Sequence, residues 1–178
     1  MFSSSPSSGS ESMQLMYHLA ITAAERSIDL SVAYFVPDEL TQKHLMDALA
    51  RGVRVRFITP GEHTDTDTVK AASRATWGPL LQAGALRHPS RPTPYHCKVM
   101  IVDQLLVSVG STNFDNRSIR LNDEANLNVY DAAFAKRQTE VFEDDLKRSR
   151  RVTYEEWLNR PLRENAHEKL TGWLRSQL

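Results

Sequence analysis

The sequence predicts an α/β sandwich in which a mixed central sheet is flanked by helices, and two observations lead to this fold class. First, strand-like runs at 28–36 and 53–59 enclose a helical stretch, and such a strand–helix–strand unit is right-handed with parallel strands. Second, the apolar runs 98–102 and 105–109 are separated by two polar residues, as in a hairpin of antiparallel strands. Parallel and antiparallel pairs in a chain of this length indicate one mixed sheet.

Each element is favoured by a local pattern. The predicted strands cover 28–36, 53–59, 96–103, 105–111 and 124–130, with a short edge strand at 85–88. The predicted helices cover 11–26, 38–51, 67–83 and 132–149, and two short helices follow residue 153. Asp38 is placed to cap the second helix and Gly52 to end it, whereas Pro79 is expected to kink or restart the third. Leu19 and Val141 belong to apolar stripes that predict a buried face.

The composition indicates one domain with a neutral surface. With 178 residues, 40% of them apolar, the chain can bury a core, and we expect one domain over 11–178 after a flexible Ser-rich leader or linker at 1–10. Lys plus Arg equal Asp plus Glu at 22 each, so net charge does not favour nucleic acid as a partner. The single cysteine excludes an internal disulfide. No signal peptide is predicted, and no apolar run of about 18 residues predicts a transmembrane helix.

His96 and Lys98 are the residues whose spacing points to chemistry. They lie two apart at the start of a predicted strand, where alternate side chains share a face, and Cys97 falls on the opposite face as a small buried residue. A histidine near neutral pH can attack phosphorus or protonate a leaving alkoxide, and a lysine beside it offsets charge on phosphate oxygens. This pair therefore predicts phosphodiester chemistry.

Further polar residues follow on the next two strands. Ser111 and Asn113 are short hydrogen-bonding side chains after Gly110, which allows close approach of the backbone. Glu124 and Asn126 alternate with apolar residues, so they share the polar face of the last strand. The Glu124 carboxylate is the candidate that holds the histidine ring in one tautomer.

The segments HCKVMIVD, GSTNFDNRS and LNDEAN together resemble the phospholipase D superfamily with its HKD motif, in particular the C-terminal half of bacterial cardiolipin synthases. The segments AYFVPDEL, ALARGVRVRFITP and LLQAGAL extend the resemblance over nearly the whole chain from about residue 11. The superfamily's site is formed where two such motifs meet, so the resemblance implies that this chain supplies one of two half-sites. It also implies a phosphohistidine intermediate, with no metal and no cofactor.

The resemblance implies a role for each matching residue. The residues expected to act directly are His96 as nucleophile or general acid, Lys98 and Asn113 as phosphate binders, Ser111 as a hydrogen-bonding group, Glu124 as the orienter of the histidine, and Asp103 as a buttress of the site. The residues expected to support them are Gly110, Asp115, Arg117 and Asn126.

The activity implied by the resemblance is transfer of a phosphatidyl group from one phosphatidylglycerol to another, with release of glycerol. A homodimeric phospholipase D-like phosphodiesterase or nuclease, and an inactive fragment or partner subunit, are the alternatives. The expected partners are phosphatidylglycerol, an anionic membrane surface, and a second HKD half from a homodimer or an N-terminal-half chain; nucleic acid is not expected.

The expected location is the cytoplasmic side of the bacterial inner membrane, where the protein would be peripheral. Lys147, Arg148, Arg150 and Arg151 are the residues that would attract an anionic membrane. The alternative is that these cations interact with the C-terminus of their own helix.

Overall fold

A seven-stranded sheet with helices on both faces is the frame of the structure, a computed structural model that describes residues 2–4, 12–61, 67–90, 95–115, 118 and 122–160. The strands are β1 (Phe2–Ser4), β2 (Ser27–Val32), β3 (Arg54–Thr59), β4 (Leu86–Pro89), β5 (Lys98–Val102), β6 (Leu106–Gly110) and β7 (Glu124–Tyr130). The helices are α1 (Ser12–Ala23), α2 (Glu39–Ala50), α3 (Asp67–Gln82), α4 (Ala132–Lys147) and α5 (Tyr154–Leu158). The strand order across the sheet is β1-β7-β6-β5-β2-β3-β4.

The strand directions confirm the predicted mixed sheet. β2, β3 and β4 are parallel, with Ile28 opposite Val55 in the predicted strand–helix–strand unit. β5, β6 and β7 form an antiparallel meander, and β5 joins it to the parallel part by pairing antiparallel with β2, where Met100 lies opposite Leu30. The fold class is therefore α/β with one mixed sheet.

Residues Phe2–Ser4 form an edge strand, although the sequence suggested a flexible leader over 1–10. β1 pairs antiparallel with β7, with Phe2 opposite Asn126 and Ser4 opposite Glu124. Backbone hydrogen bonds to β7 hold these residues in the sheet. A Ser-rich composition does not show that another strand will pair with the segment. The leader prediction therefore does not hold for these three residues. The other residues of the segment lie outside the described part of the chain.

Among the described residues, two apolar cores lie on opposite faces of the sheet. The larger core includes side chains from α1, α2 and α3 packed on Leu30, Phe57 and Met100, each at most 1% exposed. The smaller core packs α4 against the other face through Ala135 and Phe142. These helix–sheet–helix layers are the predicted sandwich.

Leu19 and Val141, two large residues of the predicted apolar stripes, are exposed. Leu19 of α1 is 60% exposed and Val141 of α4 is 49% exposed, so the predictions that they face the core are wrong. Their neighbours Met16 and Phe142 are buried. A helix lying on a sheet buries only the stripe that touches the sheet, and Leu19 and Val141 lie outside that stripe.

The third helix passes through Pro79 without a break, where the sequence predicted a kink or a restart. The N–H of Ala83 donates to the Pro79 carbonyl at 3.0 Å, so the helical hydrogen bonding resumes after the proline. Trp77, Leu80 and Leu81 on either side are 6%, 1% and 6% exposed. Packing of these side chains on the core offsets the hydrogen bond that proline cannot donate.

Both predicted ends of α2 are confirmed. The Asp38 side chain accepts a hydrogen bond from the Thr41 N–H at 2.7 Å, as an N-cap does. After the helix, Gly52 has a φ of 87° and its N–H donates to the Leu49 carbonyl at 2.9 Å.

A buried ion network fixes α4 beneath the sheet. The Arg56 guanidinium donates to both carboxylate oxygens of Asp29, at 2.7 and 2.8 Å, and a salt bridge of 2.8 Å joins it to Glu143 of α4. It also lies 4.9 Å from the ring centre of Phe142. Because the guanidinium fork matches the fully buried Asp29 carboxylate, the buried charge is compensated.

Candidate active site

Three strand ends meet where the predicted site residues lie. β5 and β7 begin at this end of the sheet and β6 ends there, because these neighbours are antiparallel. The β6–β7 ladder reaches Gly110 opposite Asn126, and Lys98 is the first residue of β5. Segments 96–98, 110–113 and 124–126 therefore converge on one end of the sheet.

His96 and Lys98 are in contact, as the alternation along a strand predicts. Nζ of Lys98 lies 3.1 Å from Nε2 and 3.3 Å from Nδ1 of the exposed His96 ring. An ammonium group only donates hydrogen bonds, so the ring nitrogen that accepts from it bears the lone pair. The neutral imidazole with an available lone pair is the form that can attack phosphorus.

Lys98 is partly buried, and burial changes its acidity. Desolvation lowers the pKa of the ammonium below the ordinary value of 10.5, while nearby acidic groups, Glu124 and Asp115 among them, act in the opposite direction. The Lys98 ammonium therefore loses its proton more readily than a lysine in water does.

Replacing Lys98 with arginine is expected to extend activity to higher pH. In the wild type the lowered pKa means that the ammonium loses its proton at a lower pH than an ordinary lysine does. If Lys98 binds phosphate, that binding weakens as the charge is lost. A guanidinium stays charged, so the alkaline limb of the pH profile should move upward, with a maximal rate roughly tenfold lower because the planar fork does not reproduce the ammonium contact. The measurement is kcat/KM for a chromogenic phosphodiester from about pH 6 to about pH 11. An alkaline limb at the same pH in both proteins would contradict the interpretation that loss of the Lys98 charge causes it.

Gly110 makes room for the side chain of Asn126. A Cβ atom at Gly110 would lie 2.1 Å from the carbonyl oxygen of Ala125 and 2.2 Å from Oδ1 of Asn126. Asn126 is 1% exposed, donates from Nδ2 to Oγ of Ser108 at 2.9 Å and accepts at Oδ1 from the N–H of Thr112 at 3.3 Å. It thereby ties the end of β6 to β7 from inside the core.

Ser111 and Asn113 lie in the turn after β6. Oγ of Ser111 accepts from the N–H of Ala125 at 3.1 Å, which leaves the hydroxyl proton available to a ligand. Asn113 donates from Nδ2 to Oγ of Ser118 at 3.3 Å, and its buried Oδ1 has no hydrogen-bond partner among the described residues. Because a serine hydroxyl both donates and accepts, the Asn113 amide can turn over and present its NH₂ group to a phosphate instead.

Asp115 closes this turn from below. Its carboxylate accepts from the N–H of Ser118 at 2.7 Å and is buried with the Asn113 side chain. The supporting role expected of Asp115 stays a prediction, and this contact places the carboxylate in the same turn as Asn113. Arg117, expected to do the same, lies outside the described residues.

Glu124 is at the site but does not hold the histidine. Its carboxylate accepts from Nδ2 of Asn122 at 3.4 Å, and among the described residues no hydrogen bond joins it to His96. Glu124 instead raises the pKa of Lys98 electrostatically, against the larger effect of desolvation. The expected histidine orienter is therefore, in this structure, a countercharge for the lysine.

Asp103 does not lie with the other motif residues. It follows β5 at the end opposite Lys98, about 17 Å along the strand. Its carboxylate accepts hydrogen bonds from the backbone N–H groups of Glu25, Arg26 and Ser27, at 2.9, 2.7 and 2.8 Å. The expectation that Asp103 buttresses the site is corrected: it fastens the β5–β6 turn to the connection between α1 and β2.

Tyr17 of α1 belongs to the site's support and was missed by the sequence analysis. Its side chain is 3% exposed, and its hydroxyl accepts from Nδ2 of Asn126 at 2.8 Å. Its ring stacks on Phe114 with 4.6 Å between ring centres. A tyrosine in an otherwise apolar helical stripe needs a hydrogen-bond partner for its hydroxyl, which is the signal that could have marked it.

Cys97 lies on the opposite side of β5 from His96, as predicted, but it is exposed rather than buried. Desolvation by its neighbours, with a contribution from the Asp145 carboxylate, raises the pKa of its thiol, while a hydrogen bond with Tyr95 lowers it. A thiol with a raised pKa is a poor nucleophile at neutral pH.

Three of the four basic residues expected to attract a membrane are paired with carboxylates, and no salt bridge joins the fourth, Arg151, to another described residue. Lys147 contacts Asp144, Arg148 contacts Asp145, and Arg150 contacts Glu156. These pairs reduce the positive field that was expected to attract an anionic membrane. Within the described residues, no helix has both the length and the apolar character needed to cross a bilayer.

The arrangement is chemically suited to a phosphate group. It offers a ring nitrogen lone pair, a cation in contact with that ring, and short polar side chains in the neighbouring turn. His96 has no second histidine as a hydrogen-bond partner among the described residues. In the part of the chain that the structure describes, no group of three or more His, Cys, Asp or Glu residues is arranged to hold a metal ion.

Comparison with known proteins finds one family and several relatives. The family described as "Cardiolipin synthase, PLD-like domain" matches residues 17–146. The chain is 38% identical over 159 residues to the major cardiolipin synthase ClsA of Bacillus subtilis, covering 89% of this chain and 33% of that protein. It is 35% identical over 153 residues to cardiolipin synthase A of Pseudomonas putida, covering 86% of this chain and 32% of that protein. The chain thus spans about a third of the length of these curated relatives.

Two solved structures share the fold. Nuc, a phospholipase D family member from Salmonella typhimurium, is 26% identical with a TM-score of 0.71, over 80% of this chain and 92% of that chain. The phosphatidylserine synthase of Haemophilus influenzae is 18% identical with a TM-score of 0.76, over 99% of this chain and 47% of that chain. The same fold therefore makes up nearly all of one neighbour and about half of the other.

Proposed function

The chain belongs to the family of cardiolipin synthase PLD-like domains, and from this premise we propose that it supplies one of two half-sites of a phosphatidyltransferase. The reaction joins two phosphatidylglycerol molecules into cardiolipin and glycerol. The observation that carries the proposal is the 3.1 Å contact between Nζ of Lys98 and Nε2 of His96 at the end of the sheet. It presents a nucleophile and a phosphate-binding cation in one space.

The contact between lysine and histidine suggests how the first step begins. A phosphodiester entering the site attracts the Lys98 ammonium more strongly than a neutral ring does, so the lysine moves to the non-bridging oxygens and frees the His96 lone pair. His96 then attacks phosphorus, the bond from phosphorus to the glycerol oxygen breaks, and glycerol leaves with a proton from an acid on the other half-site. The product is a phosphatidyl-histidine.

The second step repeats the geometry with a new alcohol. A hydroxyl group of the second phosphatidylglycerol gives its proton to the base that had acted as acid, attacks phosphorus and releases His96. Cardiolipin forms when the acceptor is this lipid, and phosphatidic acid forms when the acceptor is water. The reaction needs no cofactor and no metal, because Lys98 and its counterpart supply the positive charge.

The neighbouring turn binds the phosphate. Asn113 presents its amide and Ser111 its hydroxyl proton to the non-bridging oxygens. Gly110 supports the turn indirectly, because its missing Cβ leaves room for the Asn126 side chain. Glu124 keeps Lys98 charged against the desolvation that lowers its pKa. Asp115 keeps the turn closed through Ser118.

The acid that protonates glycerol must come from a second HKD half. A second copy of this chain or an N-terminal-half chain can provide it. The substrate is a membrane lipid, so we place the protein at the cytoplasmic face of the bacterial inner membrane, bound peripherally to its anionic surface. The carboxylate pairing of Lys147, Arg148 and Arg150 argues that these residues contribute little to that binding.

A homodimeric phosphodiesterase or nuclease is the second candidate. The favouring observation is that the fold covers 92% of the Salmonella Nuc chain, so one such domain can be nearly a whole chain. Against a nuclease stands the balance of 22 basic and 22 acidic residues, which gives no net attraction for a nucleic acid backbone.

The test is product analysis with the purified chain alone. Phosphatidylglycerol in mixed micelles with EDTA is expected to yield cardiolipin, and the His96→Ala variant is expected to lose at least about a thousandfold of that rate. The ratio of cardiolipin to phosphatidic acid separates transfer from hydrolysis. A single-stranded oligonucleotide in a parallel reaction tests the nuclease.

Different results identify the different candidates. Cleavage of the oligonucleotide that falls steeply with salt, without cardiolipin, would replace the transferase with a nuclease. Strict dependence on a divalent metal would contradict the mechanism. No product with the chain alone, followed by product when an N-terminal-half chain is added, would identify a heteromeric site. No product in either case would favour an inactive partner subunit.

A further inference from the structure

Tyr17 lies far from the motif in sequence but inside its support in space. It is on α1, 109 residues before Asn126, and only 3% of its side chain is exposed. Burial in this environment raises the pKa of its hydroxyl, so the group stays protonated and available as a hydrogen-bond donor. A buried phenol is stable only where its hydroxyl is hydrogen-bonded, so its partners matter.

The Tyr17 hydroxyl connects two parts of the site. It accepts from Nδ2 of Asn126 at 2.8 Å and donates to the backbone carbonyl of Thr112 at 3.4 Å. Asn126 in turn accepts from the Thr112 N–H at 3.3 Å. Both backbone polar groups of Thr112 are thus fixed by one network, directly by Tyr17 or through Asn126.

The Tyr17 ring holds the other side of the same turn. It stacks on Phe114 at 4.6 Å, and Phe114 is pinned by backbone hydrogen bonds to Tyr34 and Val36. Thr112 and Phe114 are the two neighbours of Asn113. Tyr17 therefore fixes the chain on both sides of Asn113, whose buried amide oxygen has no hydrogen-bond partner among the described residues.

We propose that Tyr17 is a positioning residue for Asn113: its hydroxyl and ring set the backbone of the 112–114 turn and so aim the Asn113 amide at the phosphate. This deepens the proposed function and rests on it for the kinetic part. The residue does not touch the substrate, so it acts only through the turn. A displacement of about 1 Å in a phosphate-binding group is enough to slow a reaction greatly.

The test is Tyr17→Phe, which keeps the stacked ring and removes only the hydroxyl. Tyr154→Phe is the matched control, because Tyr154 is partly buried and its hydroxyl makes no hydrogen bond among the described residues. We expect kcat of Tyr17→Phe for phosphatidylglycerol to fall about tenfold per active site with KM changed less than about threefold. Active sites are counted by trapped phosphohistidine. A lower melting temperature with an unchanged kcat per active site would mean a purely structural hydroxyl and overturn the proposal.

A second measurement does not depend on the lipid activity. The side-chain NH₂ signals of Asn113, assigned with Asn113→Ser, are followed by ¹⁵N NMR while inorganic phosphate is added. The Asn113 signals, and their shifts on addition of phosphate, should be the same in wild type and Tyr154→Phe. In Tyr17→Phe the Asn113 signals should lie at different positions and shift less with phosphate. Identical Asn113 signals and responses in all three proteins would refute the positioning role. A wild type that turns over no phosphatidylglycerol, either alone or with an N-terminal-half chain, refutes the proposed function alone, since the spectra still decide the role of Tyr17.

Discussion

Gly110→Ala is expected to lower the free energy of unfolding by about 3 kcal/mol and to remove nearly all activity. The added Cβ would lie 2.1 Å from the carbonyl oxygen of Ala125 and 2.2 Å from Oδ1 of Asn126. Neither atom can move away easily, because Ala125 is paired within the sheet and the Asn126 side chain is hydrogen-bonded to Thr112 and Ser108. Relief requires β6 and β7 to separate just before the turn that holds Asn113.

Gly52→Ala is the matched control for this substitution. Gly52 has a φ of 87° but nothing lies within 4 Å of an added Cβ, so its cost is backbone strain of about 1 kcal/mol without a clash. It is at the end of α2, away from the site, and should leave kcat unchanged. Urea unfolding followed by circular dichroism gives both free energies. A Gly110→Ala protein as stable and active as Gly52→Ala would contradict the steric argument.

Local patterns were sufficient for most elements. β7 was predicted at 124–130 and found at Glu124–Tyr130, because alternation of polar and apolar residues is a property of the strand itself. The caps of α2 at Asp38 and Gly52 were likewise visible, since each acts on backbone groups within a few residues. The contact of His96 with Lys98 follows from the same alternation.

Contacts between distant segments were not predictable in this way. The strand at Phe2–Ser4 exists because β7 offers an edge, and nothing in its own residues says so. Tyr17 and Asn126 are joined across 109 residues by the way α1 lies on the sheet. Spacing alone also suggested that Glu124 would reach His96. In the structure its carboxylate instead accepts a hydrogen bond from Asn122 and raises the pKa of Lys98 electrostatically.

Asp103 shows that a residue can belong to a motif in sequence without belonging to its site. Its backbone has a φ of 53°, and the following Gln104 has 56°, the signs of a tight hairpin turn that aspartate tolerates better than most residues. Its carboxylate binds three consecutive backbone N–H groups of the α1–β2 connection. The motif therefore spans β5: Lys98 at its first residue contacts His96, and Asp103 just after its last residue is hydrogen-bonded to the α1–β2 connection. The contacts of Asp103 hold β5 in register with β2.

Asp103→Ala is accordingly expected to reduce stability by about 3 kcal/mol while kcat of the folded protein changes little. About 2 kcal/mol comes from the lost charge-assisted hydrogen bonds, a value kept low because the site is partly open to water, and about 1 kcal/mol from alanine at positive φ. Asp103→Asn keeps the tolerance for that φ and should lose only about 1 to 2 kcal/mol. A large loss of kcat in folded Asp103→Asn would return this residue to the site.

The stabilisation by Asp103 should also depend on pH in a definite direction. Desolvation raises the pKa of this carboxyl, but the three backbone donors and Arg26 together lower it by more than desolvation raises it. The folded-state pKa therefore lies below the ordinary value of 3.8. A carboxyl with a depressed folded-state pKa stabilises the protein above its unfolded pKa, and that contribution disappears as pH falls through the folded-state value. The difference in unfolding free energy between wild type and Asp103→Asn should therefore be constant near neutrality and shrink below about pH 4. A difference that persists unchanged into stronger acid would mean that geometry, rather than charge, is what Asp103 contributes.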